Sequence, residues 1–231
     1  MAPGDCAIEP REDERGLALL VVLMATTLLL ALGGGLVALT TTEARIAATF
    51  RDGLAALYGC DAAIARALRD LAASGDWSAV LDGSDTSSFV DGPGGGVRIG
   101  AGGVPVDLDE ATNLERCAMR TCTVADMNAV TIERPWGQNN PRWQLYGYGP
   151  LSSLVPAGTD HAGVYVVLWV GDDALEVDGD PTRDAANGAP GHDVLTLRVA
   201  AYAQHGARRQ VEATVSRTGT GLRVRFWREL K

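Results

Sequence analysis

The densest group of chemically competent side chains is the stretch GDDALEVDGDPTRD, which carries Asp172, Asp173, Glu176, Asp178, Asp180 and Asp184. Aspartates alternating with glycine in tight turns present several hard oxygens at once, and Ca2+ takes about six to eight of them. Asp178, Asp180 and Asp184 are the expected calcium ligands, and Ca2+ is the one cofactor these residues suggest. The spacing is not that of an EF-hand, whose loop frame and closing glutamate are missing. Clustered aspartates are also ordinary chemistry for a solvated loop, so both readings stand.

Other reactive types are sparse. His161, His192 and His205 are the only histidines, and none falls in an H-E-x-x-H frame. No serine sits in G-x-S-x-G, and no nucleophile–base pair is recognisable, so the chain is not expected to be an enzyme. Residues 82–103, DGSDTSSFVDGPGGGVRIGAGG, lack the G-K-[ST] of a phosphate-cradling loop and read as a flexible loop.

Four cysteines divide by context. Cys6 lies in a polar stretch, Cys60 in a helical pattern, and Cys117 and Cys122 are close enough to bridge. No C-x-x-C pair or nearby histidine suggests zinc. In an exported domain a Cys117–Cys122 disulfide is the natural reading, with two reduced thiols in a buried turn as the alternative.

The chain has 231 residues, 46% of them hydrophobic, with a formal charge of −9. A charge of that sign removes the electrostatic footprint of a nucleic-acid binder, so no nucleic-acid partner is expected.

The elements that must carry these residues begin with an apolar run. From Leu17 to Leu39 there is no charged side chain, and a helix of that length spans about 34 Å, enough for a hydrocarbon core of about 30 Å. Residues 1–16 are short, polar and acidic and end in Arg15-Gly16, unlike the basic start of a conventional secretory signal, with an ordinary signal cleaved around Ala31-Leu32-Gly33 as the alternative. Beyond the run, Ile46, Phe50, Leu54, Leu57, Ile64, Leu68 and Leu71 recur at threes and fours, so an amphipathic helix is expected to continue to about Ala73. Gly33, Gly34 and Gly35 are its weak point, at about 1 kcal/mol each against alanine.

Strand patterns follow at 143–148, 164–170, 194–203 and 210–217, and Leu222, Val224 and Phe226 repeat the alternation in a last strand. Gln204 to Ala207 reads as a hairpin loop, and Val211, Ala213 and Val215 should face a core while Glu212 faces out. The aromatics Trp136, Trp143, Trp169 and Trp227 fit either core or surface. Layer logic then packs an antiparallel sheet on the helix, giving an α+β fold.

The wording ERGLALLVVLMATTLLLALGGGLVALTTTEARIAATFRDG resembles the PilX-type N-terminal region of type IV minor pilins. Residues 15–70 carry the likeness, with weaker support from NNPRWQLYGYGPL, YVVLWVGDD and GARRQVEATVSR. The resemblance implies a leader at 1–16, a transmembrane and filament-core helix at 17–40, an amphipathic continuation at 41–73 and an exported β-rich pilin domain at 74–231. It further implies cleavage by a prepilin peptidase after Gly16, methylation at Leu17, and partners among major and minor pilins met through the helix. The implied location is the bacterial inner membrane, single-pass with the C-terminal domain in the periplasm, and then a pilus or pseudopilus. Major pilins carry glutamate at the fifth mature position, where this chain has Val21. That departure implies a scarce subunit at the tip or in initiation. A minor pseudopilin of type II secretion, and an anchored calcium-dependent binding module outside any filament, are the alternatives.

Overall fold

Alanine- and leucine-rich sequence without proline forms one long helix, α1 (Glu12–Ala73), in which good helix formers dominate. The computed structural model describes residues 12–100, 103–156, 163–176 and 178–230; Cys6, His161 and most of residues 1–16 lie outside them. Contacts divide the chain into two units, Met1–Ala48 and Thr49–Lys231.

In the first unit α1 continues through Gly33, Gly34 and Gly35, where the composition leads one to expect a kink or melting. Nothing lies within 4 Å of a Cβ placed on any of the three. All described side chains from 16 to 47 are exposed.

The second unit is built on five antiparallel strands in simple meander order: β3 (Gln144–Pro150), β4 (Tyr165–Asp172), β5 (Val194–Tyr202), β6 (Arg208–Thr218) and β7 (Gly221–Leu230). Two short strands, β1 (Val97–Ile99) and β2 (Pro105–Asp107), form a separate hairpin. Three short helices complete the unit: α2 (Trp77–Leu81), α3 (Leu108–Cys117) and α4 (Val124–Met127). The expected α+β fold, a long N-terminal helix against an antiparallel sheet, is the fold observed.

Two hydrophobic clusters sandwich the sheet. On one face Val166, Leu168, Leu197, Val199, Val211, Ala213 and Val215 pack with α1 and α2. On the other, Tyr165, Val167, Trp169 and Ala200 pack with Val106, Leu108 and Ala111. β4 is therefore buried along its whole length, which its unbroken apolar run anticipates.

The face that α1 turns to the sheet differs from the expected stripe. Ile64 and Leu71 are buried as expected, but Ile46, Phe50 and Leu54 are exposed. Small residues take the inner positions instead: Ala56, Cys60, Ala63 and Ala67 are all fully buried. The sheet already supplies bulky side chains, so the helix must be thin where they meet. Gly59 shows the limit, since a Cβ there would sit 3.2 Å from Val164 Cγ1. Cys60 packs as a free buried thiol.

Two further expectations need correction. Glu212 does point to the opposite face of β6, yet it is buried, held between the guanidinium groups of Arg198 on β5 and Arg228 on β7. The last strand exists, but Val224, Phe226 and Trp227 are 39%, 48% and 44% exposed, because β7 is an outer strand whose partner lies on one side alone. The glycine-rich 82–103 stretch is likewise no free loop where it passes β3. Ser87 N donates to Tyr146 O and Tyr148 N to Phe89 O, so it covers that sheet edge.

Candidate functional site

The first candidate is the apolar part of α1. It is the one helix among the described residues long and apolar enough to cross a membrane, and none of its most apolar window is buried. Its polar groups are satisfied internally. Thr26, Thr27, Thr40 and Thr41 donate their hydroxyls to carbonyls three residues back, and Thr42 donates to Ala38 O at 2.9 Å. A helix that must live without water needs that arrangement. Gly16 and Leu17 are both exposed on it, and Leu17 is 71% exposed. A chain of this kind fits a single-pass membrane anchor.

The second candidate lies where β4 ends. Asp178, Asp180 and Asp184 do not form one site; the structure deals them to different neighbours. Asp178 joins Asp172 and Glu176, with carboxylate oxygens mutually within 4.8 Å. Asp184 joins His192 and Asp193. Asp180 closes its own turn, accepting from Thr182 N at 3.2 Å and Thr182 Oγ1 at 2.6 Å. The Asp-Gly spacing that suggested a ligand set is thus partly turn chemistry.

The two groups differ electrostatically. In the second, His192 Nδ1 stands 3.2 Å from Asp184 Oδ2, and Arg217 Nη1 stands 3.5 Å from Asp193 Oδ1. Asp184 Oδ1 also accepts from Asp193 N at 2.9 Å. That group carries its own compensation.

The first group has no cationic partner, although Asp178 Oδ1 accepts from Asp180 N at 2.8 Å. Asp172 and Glu176 are each 1% exposed. Asp172 Oδ1 accepts from Asp173 N at 2.9 Å, but Asp172 Oδ2 and both Glu176 oxygens are buried without a hydrogen-bond partner. Among the described residues no arginine or histidine pairs with Asp172, Glu176 or Asp178. Burial, reinforced by the neighbouring carboxylates, pushes Asp172 up to about 8 and Glu176 up to about 7. The walls are close. Asn139 Nδ2 donates to the Glu176 carbonyl, and Gly191, at φ +93°, passes so near that a Cβ would stand 2.7 Å from Glu176 Oε2.

Asp172 and Glu176 were not singled out as ligands by the sequence pattern, although both lie in the acidic stretch. Their distinguishing property is burial, and only the β4 apolar run leading into Asp172 hints at it.

The remaining polar cluster is structural. Arg198 lies between Glu115 and Glu212, at 3.1 Å and 2.9 Å, and its guanidinium covers the Trp143 ring at 4.3 Å. Cys117 and Cys122 are disulfide-bonded, with Cα atoms 6.0 Å apart, which closes the turn after α3. Cys60 takes no part in the pairing, and burial pushes its thiol up to about 12.

Comparison with protein-family models, with curated proteins and with solved structures finds no match to this chain.

Proposed function

We propose that the chain is a structural minor pilin, a scarce subunit that enters a type IV pilus at its tip or during initiation and helps the filament assemble. The observation that carries this reading is the stretch from Leu17 to Thr42, with no charge, every side chain exposed and every threonine hydroxyl satisfied within the helix. Such a surface is stable only in lipid or against other apolar helices. Filament assembly exchanges the first environment for the second, while the β-rich unit keeps its own core. The PilX-like wording of residues 15–70 supports the same reading.

Val21 supports scarcity. A subunit without a carboxylate at that position leaves the amino terminus of its neighbour unpaired in an apolar core, at a cost of several kcal/mol for a buried charge. The same feature suits a minor pseudopilin of a secretion system, which is the second reading.

Mass spectrometry of the mature amino terminus tests the proposal. A methylated Leu17 is the expected result. Retention of the first sixteen residues, or a start beyond Gly33, overturns it.

A further inference from the structure

We propose that Asp172, Glu176 and Asp178 form a binding site for a hard divalent cation, with Ca2+ as the preferred ion. The proposal does not depend on the pilin reading, because it rests on the second unit alone.

Three carboxylates converge to within 4.8 Å at the end of β4. Three of their oxygens, Asp172 Oδ2 and both from Glu176, are buried and lack any donor. Unpartnered buried acceptors are costly, and carboxyl groups this close can ionise together only at further cost. A cation removes both penalties together. Hard oxygen donors without nitrogen or sulfur select Ca2+ or Mg2+ over zinc or copper. The irregular origin of the ligands, one from a strand end and two from the following turn, favours Ca2+, which tolerates variable geometry better than octahedral Mg2+.

The neighbouring group argues by contrast. Asp193 faces Arg217 and Asp184 lies beside His192, so an acidic stretch that folds into two clusters sets an arginine against one and leaves the other without any. Closure by Gly191 over Glu176 makes the open one a built feature, since any side chain at 191 would fill the space beside Oε2. An ion held there would tie the end of β4 to the long connection that leads to β5.

The test uses the full chain in detergent, stripped with chelator and titrated with CaCl2 or MgCl2. At a calcium concentration about a hundredfold over Kd, Tm is expected to rise by about 5–10 °C, and Mg2+ is expected to do less. Glu176→Gln is expected to abolish the calcium response while leaving the chelated chain folded, because glutamine keeps the size of the side chain and cannot ionise. Asp178→Asn, at an exposed position, should weaken the response, and Asp184→Asn should leave it intact. An unchanged Tm with calcium, or the same rise in Glu176→Gln, overturns the proposal. A rise lost equally in Asp184→Asn places the ion in the other cluster and overturns it too.

Discussion

Gly191 lies directly against the carboxylate of Glu176, at a distance that admits no Cβ. The contact makes one glycine responsible for the shape of the acidic pocket, and its φ of +93° adds a backbone reason for the same residue. Gly191→Ala should therefore destabilise the chain by roughly 2–4 kcal/mol, combining strain at a left-handed position with displacement of Glu176. Chemical denaturation of wild type and variant checks the figure. A cost near zero would mean that the loop simply moves aside.

The raised carboxyl groups predict a pH dependence with a definite sign. In chelator, the folded state keeps Asp172 and Glu176 protonated up to about 8 and about 7, while the unfolded chain releases those protons near the ordinary carboxylate range. Their contribution is complete below the unfolded values and is lost as pH rises through the folded ones. Stability should fall by several kcal/mol between pH 5 and pH 8.5. Denaturation midpoints at the two pH values, with Glu176→Gln flattening the slope, provide the check.

Arg198 predicts a different kind of loss. Removing it leaves Glu115 and Glu212, 7% and 8% exposed, each short of a partner. Arg198→Met should cost roughly 2–4 kcal/mol, held below the larger values for wholly orphaned pairs by Arg208 and Arg228 nearby. Adding Glu115→Gln and Glu212→Gln should recover part of that loss. Failure of the triple variant to regain stability would assign the effect to lost stacking on Trp143.

Much of this architecture was legible because it depends on period. The run VYVVLWV became β4, and alternation placed Val211, Ala213 and Val215 inward. Less visible was anything set by a second layer. Glu212 reads as a solvent-facing residue until Arg198 and Arg228 close over it, and nothing in LDEATNLERC announces which sheet face α3 will take. The helix stripe failed for a related reason: apolar bulk marks exposed Phe50 and Leu54, whereas packing against a crowded sheet selects Ala56, Cys60 and Ala63. Composition located the acidic stretch, yet Asp180 gave one oxygen to its own turn and Asp172, a strand residue, took its place in the cluster. Ligand geometry is a tertiary property, and spacing along a chain records only its local part.

Cys60 yields a prediction about reactivity. Its thiol is fully buried, and a value pushed up to about 12 keeps it protonated at neutral pH. Iodoacetamide should leave the peptide containing Cys60 unmodified in the native chain and label it after denaturation, as read by peptide mass spectrometry. Rapid native labelling would show that α1 lifts from the sheet at Gly59 and Cys60, where small residues give it the least to hold.

The apolar helix predicts a separation of effects. No described side chain from 16 to 47 is buried, so a charge placed there removes no packing. Leu29→Arg should leave the Tm of the β-rich unit unchanged. In a membrane the same change costs about 2.5–3.5 kcal/mol at the helix centre, and among packed apolar helices it has no partner to meet. Fractionation should therefore show reduced membrane retention, and any filaments recovered should lack the variant although its folded unit is intact. A parallel loss of thermal stability would mean that the segment contributes to the folded core, and the reading of α1 as a surface made for other helices would fail.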